Sequence, residues 1–256
     1  MNTKTLQIAN ILGLILVLIL NTLATTLPLA GRTTGEISDM YPNLFVPAGY
    51  AFSIWSLIYI LLIIFVFQQA KGLFGKNQAA PEFVHHIGWW FFISCLANAT
   101  WIIAWHNLLV PLSLLLMLGI LIPLIIIYNR LNDKPGFPIP PLTKLSFSVY
   151  LGWITVATIA NVTTLLVDAG WSGLGISEIN WTVIMIVAAT LITFAVIWTR
   201  SDLAYTLVIV WAFVAIALKR QRAAIPEETI IISTIYAAIA LMALLMLTRY
   251  FWWKKA

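Results

Sequence analysis

The chain has 256 residues, of which 62% are hydrophobic and only 9% charged, and it carries 12 Trp. A domain surrounded by water carries about a quarter charged residues, so a soluble fold is excluded and the outward-facing side chains must meet lipid. The net charge of +5 does not call for nucleic acid, because basic residues in a membrane protein first report topology.

Crossing a hydrocarbon core takes about 20 apolar residues in a helix. Uncharged runs of that order occupy 5–31, 50–70, 145–167, 179–199 and 229–248. The run at 83–129 is about twice the length of one span and holds Asn107 and Pro111 near its middle, so it is expected to be a helical hairpin. The run at 203–218 is the shortest; a tilted or partly re-entrant course there lowers the expected count from eight spans to seven. Lys4, the following apolar stretch and small residues near Ala30 resemble a cleavable signal peptide. A 27-residue uncharged run is long for an h-region of about 7–15 residues, which favours a retained span.

The loops are too short to bury a core of their own. The loop from Gly31 to Gly49 mixes polar Thr33, Thr34, Glu36, Ser38 and Asp39 with Tyr41 and Phe45, a composition suited to folding over the mouth of a bundle. Lys134 to Pro141 holds four prolines and a glycine and reads as an extended connector. With eight spans, Lys4, Lys71, Lys76, Arg130, Lys134, Lys144, Arg200, Arg249, Lys254 and Lys255 fall on one side, against Arg32, Lys219, Arg220 and Arg222 on the other. The positive-inside rule then puts both termini in the cytoplasm, and the expected location is a bacterial plasma membrane.

Cys95 is the single cysteine and lies inside an apolar run, so it reads as a packing residue. His85, His86 and His106 have no Cys, Asp or Glu at ligand spacing and read as interfacial polar groups rather than a metal site. No phosphate loop, zinc-protease helix or nucleophile elbow is present, so no enzyme is expected. Trp89, Trp90, Trp181, Trp198, Trp252 and Trp253 stand near run ends, where tryptophans anchor in the membrane interface.

Polar and aromatic residues inside the spans need partners, and they recur at helical spacing. Ser94, Asn98, Trp101 and Trp105 share one face of the third span; Tyr150, Trp153, Ala157 and Asn161, with Thr158 beside them, share one face of the fifth. Phe52, Trp55 and Tyr59 make a shorter stripe on the second. Facing one another, the stripes form an aromatic cavity with polar anchors, the general recipe for a small-molecule site. Asn98 and Asn161 equally suit plain interhelical hydrogen bonding.

The order Tyr150, Trp153, Ala157, Thr158, Asn161 resembles the Y-x-x-W-x-x-x-A-T-x-x-N signature in the last span of the tryptophan-rich sensory protein and translocator protein (TspO) family. Pro47, Ala48, Phe52, Trp55 and Tyr59 are similar to its proline-glycine turn leading into W-x-x-x-Y, and Leu96, Asn98 and Trp101 to its L-x-N-x-x-W element. The resemblance covers roughly residues 5–167. It implies a five-helix bundle that binds tetrapyrroles, sterols or synthetic aromatic ligands in a pocket closed by the first loop. It also brings a proposal of photochemical porphyrin breakdown, which Trp55 and Trp153 would carry. No cofactor is required, although a porphyrin or haem-type ligand is implied. The departures are no carboxylate early in the fourth span, Val46-Pro47 in place of a double proline, Val149 in place of a proline, and three further spans where the family's familiar members stop at five.

The expectation is therefore an all-α polytopic transmembrane bundle, with a TspO-like five-helix core at 1–170 and a three-helix region at 171–256. The expected function is a sensory or translocator-like protein that holds a hydrophobic aromatic ligand with Trp55, Tyr59, Asn98, Trp101, Tyr150, Trp153, Ala157 and Asn161. A secondary transporter of a small hydrophobic metabolite is the alternative. The expected partners are the lipid bilayer and that ligand, with a homodimer contact offered by Ala237, Ala238, Ala240 and Ala243.

Overall fold

The computed structural model describes residues 2–26, 31–73, 79–133 and 136–253. Ala30, Lys76, Lys134, Pro135, Lys254, Lys255 and the side chains of Trp252 and Trp253 lie outside the described residues. The cleavage-site likeness, the start of the proline connector and part of the charge count therefore fall there as well. Among the described residues the fold is helical throughout: α1 (Thr3–Thr26), α2 (Thr34–Asp39), α3 (Ile54–Gln69), α4 (Phe83–Ile87), α5 (Trp90–His106), α6 (Val110–Asn132), α7 (Pro141–Asp168), α8 (Glu178–Arg200), α9 (Leu203–Ala223) and α10 (Thr229–Trp253). Short 3-10 turns, Gly49–Ser53 and Pro226–Glu228, lead into α3 and α10.

Seven of these helices are long and apolar enough to cross a membrane: α1, α3, α6, α7, α8, α9 and α10. The eighth expected span, α5, has 17 residues, about 25 Å at 1.5 Å per residue. It packs between α1 and α6 within the bundle, and α4 precedes it across a break at Gly88, where φ is +60°. The hairpin expected within 83–129 is present, α5 ending at His106 and α6 starting at Val110.

The segment at 203–218 is neither short nor re-entrant. Helix α9 runs 21 residues to Ala223, because Lys219, Arg220 and Arg222 continue it. Cationic side chains suit the last turn of a helix, where carbonyl dipoles are unsatisfied. The stop comes instead from Ala224 at φ +54° and Pro226 two residues on.

Helices α1, α5, α6, α7 and α3 close a five-membered ring in that spatial order. Helix α9 packs on the far side of α7, and α8 and α10 pack on each other and on α9. Covered from both sides, α7 is the central element: 61% of its apolar window is buried, against 33% for α1 and α3 and 22% for α10. Gly152 sets the α7–α9 approach, since a Cβ there would stand 3.1 Å from the Tyr205 carbonyl oxygen and from the Val208 Cβ. Small residues let membrane helices gain close packing where lipid supplies no hydrophobic drive.

One carboxylate ties α6, α7 and α9 together. Asp202 accepts the Tyr205 N–H at 3.0 Å, which caps α9, and its second oxygen accepts Tyr128 Oη–H at 2.8 Å and Ser148 Oγ–H at 2.6 Å. Of the residues read as interfacial, Trp198 is largely exposed and lies beneath the Arg249 guanidinium at 5.4 Å. Trp181 is instead half buried against Trp171. On α10, Ala237, Ala240 and Ala243 face outward while Ala238 is buried.

Candidate ligand cavity and its lid

The entry to α3 places the aromatic stripe. Pro47 is buried, Ala48 is extended, and the 3-10 turn Gly49–Ser53 then swings Phe52, Trp55 and Tyr59 toward α5 and α7. Trp55 is the hub of the cluster. Its ring stacks on Tyr59 at 5.5 Å and meets Tyr150 at 5.9 Å, and Trp101 and Trp153 both at 6.4 Å. Phe52 meets Trp153 edge-on at 5.8 Å, and Trp101 stacks on Trp105 at 5.8 Å. The Trp55/Tyr59 and Trp101/Trp105 stacks are four residues apart, the spacing that puts side chains on one helix face. Each aromatic pair adds about 0.5–1.5 kcal/mol beyond its buried area.

Five of the eight sequence-derived residues, Trp55, Trp101, Trp153, Ala157 and Asn161, line one cavity of about 40 Å³, roofed by Thr34, Ser38 and Pro47. That volume holds roughly three waters. The other three lie beside it. Tyr59 stacks under Trp55, and Asn98 and Tyr150 form a relay in which Asn21 Nδ2–H donates to Asn98 Oδ1 at 3.0 Å and Asn98 Nδ2–H to the Tyr150 hydroxyl at 2.9 Å. Asn98 is thus engaged between α1, α5 and α7. Asn161 accepts Ser113 Oγ–H at 3.1 Å from α6 and still borders the cavity. The indole N–H groups of Trp101 and Trp153 and the Tyr59 hydroxyl are buried with no hydrogen-bond partner. A buried donor left unmade costs about 1–3 kcal/mol, so the site is short of acceptor oxygens.

A larger cleft of about 600 Å³ opens on the other side of Trp55 and Phe52, bounded by Asn21, Gly35, Ser56 and Tyr59. Trp55, Phe52 and Thr34 border both spaces. The small cavity cannot hold a drug-sized molecule, whereas the cleft falls within the usual 300–1,000 Å³.

The loop at 31–49 does fold over this mouth, and local chemistry explains its shape. Thr33 and Glu36 form a reciprocal capping box that starts α2. Those bonds to the Thr33 backbone and hydroxyl hold the Glu36 carboxyl below its ordinary pKa. Trp105 Nε1–H donates to the Thr34 carbonyl at 3.2 Å, fastening α2 to α5. Burial, with the Asp168 carboxylate nearby, raises the Tyr41 hydroxyl above its usual range.

Further ties of this lid and of the 3-10 turn after it run to α9. Ala48 N–H donates to the Ala215 carbonyl at 3.2 Å, and Trp211 Nε1–H to the Ala51 carbonyl at 3.1 Å. Tyr50 meets Trp211 edge-on at 5.3 Å, and Lys219 Nζ pairs with Asp39. Sequence reasoning missed these contacts and missed Asn21. Asn21 had the same signal as Asn98, a carboxamide inside an apolar run, whereas Trp211 and Lys219 meet the lid only across about 160–180 residues of chain. Among the described residues no group of three His, Cys, Asp or Glu is placed to hold a metal.

No curated protein and no solved structure matches the chain. The family described as TSPO-like protein is matched over residues 7–248. The match runs through α8, α9 and α10, so the last three helices fall within it rather than beyond it. A ring of five helices, an aromatic cluster shared by α3, α5 and α7, and a family match across nearly the whole chain lead to one assignment: this integral membrane protein belongs to the TSPO-like family of sensory and translocator-type proteins.

Proposed function

We propose that the chain is a membrane receptor that takes a planar, largely apolar ligand of the tetrapyrrole or sterol kind, bearing acceptor oxygens, between α3, α5 and α7. The observation that carries this reading is the position of Trp55 and Phe52, whose rings border both the small cavity and the larger cleft under the lid. The ligand enters the cleft, displaces Trp55 and Phe52, and offers its oxygens to the unpartnered N–H groups of Trp101 and Trp153. Affinity comes mainly from apolar burial, at about 25 cal/mol per Å². With α5 crossing as the eighth span beside the seven longer helices, the cation count, ten against four, supports cytoplasmic termini and a lid on the opposite face.

The test is quenching of tryptophan fluorescence by protoporphyrin in purified protein. Ala157→Leu fills the small cavity from a half-buried wall position, and Trp153→Phe removes one donor while keeping a ring; each is expected to weaken binding by about tenfold, or 1.4 kcal/mol. Unchanged affinity in both variants, with normal thermal unfolding, would overturn the reading.

A further inference from the structure

A second cavity, of about 340 Å³, lies apart from the aromatic cluster, where the lid meets the end of α7 and the start of α8. Its apolar wall is made by Leu44, Phe45, Leu166, Trp171, Trp181 and Met185. Trp171 and Trp181 stand 4.9 Å apart with their planes at 57°. The wall is held by backbone: Trp181 Nε1–H donates to the Gly173 carbonyl at 2.8 Å. Gly173 has φ +71°, and a Cβ there would stand 3.1 Å from that indole nitrogen. Only glycine combines that backbone with that approach.

The charged group in the lining is Glu178, in the first turn of α8, and it takes part in none of the ion pairs among the described residues, which are Arg200–Asp133, Lys219–Asp39 and Arg220–Glu228. An apolar hollow, two indole faces and an unpaired carboxylate are the parts that recognise an organic ammonium. The π faces attract the cation, the carboxylate balances its charge, and the apolar wall takes the body attached to it.

We infer that this cavity binds an organic ammonium with an apolar body, its cationic nitrogen set between Glu178 and the Trp171/Trp181 pair. The site is separate from the Trp55 cavity and does not depend on the ligand proposed there. The same chemistry comes from two sources, a free alkyl- or arylamine and the choline headgroup of a lipid in the outer part of the bilayer.

The probe is benzyltrimethylammonium, titrated by calorimetry into the full chain in nanodiscs of phosphatidylglycerol with phosphatidylethanolamine and in nanodiscs of phosphatidylglycerol with phosphatidylcholine, the phosphatidylglycerol fraction and so the surface charge being equal in both. The expected result is saturable binding, weakened at least tenfold by Glu178→Gln and by Trp181→Leu, and at least tenfold weaker for the uncharged carbon isostere (2,2-dimethylpropyl)benzene. Trp55→Phe is expected to leave it unchanged, which separates this site from the proposed ligand cavity. Weaker apparent binding in phosphatidylcholine assigns the site to the lipid headgroup; equal binding assigns it to a free amine. Because Glu178 is exposed and Gln keeps its size, that variant is expected to fold normally. No saturable binding, or equal binding of the ammonium and its isostere, or no effect of Glu178→Gln, overturns the inference.

Discussion

Helix α9 is bonded to the lid and to the turn after it, so removing those bonds at chosen atoms is expected to loosen the lid by a calculable factor. The double variant Trp211→Phe, Lys219→Gln keeps a ring against Tyr50 and a polar side chain over Asp39, while deleting the indole donor to Ala51 and the ion pair. The ion pair is partly exposed, 27% and 52% for its two side chains, and such pairs are worth about 0.5 kcal/mol. The Trp211–Ala51 bond, at 3.1 Å and partly buried, contributes about 1 kcal/mol. Together they amount to about 1.5 kcal/mol, or roughly a tenfold rise in the open population. Ala48 N–H to the Ala215 carbonyl survives because it is backbone to backbone, so the lid loosens rather than detaches. Hydrogen exchange of peptides covering 34–51 reads this directly. Those amides are expected to exchange about tenfold faster, with Trp211→Phe alone giving about fivefold and Lys219→Gln about twofold. High salt is expected to erase the smaller effect by screening the pair. Lid exchange within twofold of wild type in the double variant, or equal acceleration in α8 and α10, would refute the idea that α9 restrains the lid.

Other outcomes follow from the same contacts. Asp202→Ala removes the cap of α9 and leaves the Tyr128 and Ser148 hydroxyls without their acceptor; a loss of about 3 kcal/mol is expected in thermal unfolding, and Asp202→Asn is expected to recover part of it. Gly152→Val drives a branched side chain into the Tyr205 carbonyl and Val208, with an expected cost of about 1–3 kcal/mol in the same assay. Glu36 has a folded pKa below its ordinary value, so its contribution to α2 is present at neutral pH and lost as pH falls through that lowered pKa. Exchange protection of the Ile37 and Met40 amides, corrected for intrinsic rates, is expected to fall in acid, and Thr33→Val is expected to lessen the pH dependence without abolishing it, because the Thr33 N–H bond to the carboxylate survives.

Much of this architecture was legible before any coordinates, for reasons that are local. Backbone polar groups in lipid must bond within their own helix, so long uncharged runs have one outcome, and Asn107 with Pro111 breaks the longest of them where α5 turns into α6. Helical spacing alone put Trp101 with Asn98 and Trp153 with Asn161, because one turn repeats in 3.6 residues whatever the helix packs against. What escaped were quantities set between distant segments. Charge suggested that the span at 203–218 stopped early, whereas backbone dihedrals at Ala224 end α9 five residues later. The chain order of Trp55, Asn98 and Tyr150 does not say that Asn98 is occupied by Asn21 and Tyr150 while Trp55 borders two spaces. Nor does it say that Lys219 reaches Asp39 and Trp211 reaches Ala51. Helix identity follows from the residues within a few turns, but cavities and latches exist only where separate helices meet, and their geometry depends on how every helix in the ring has packed.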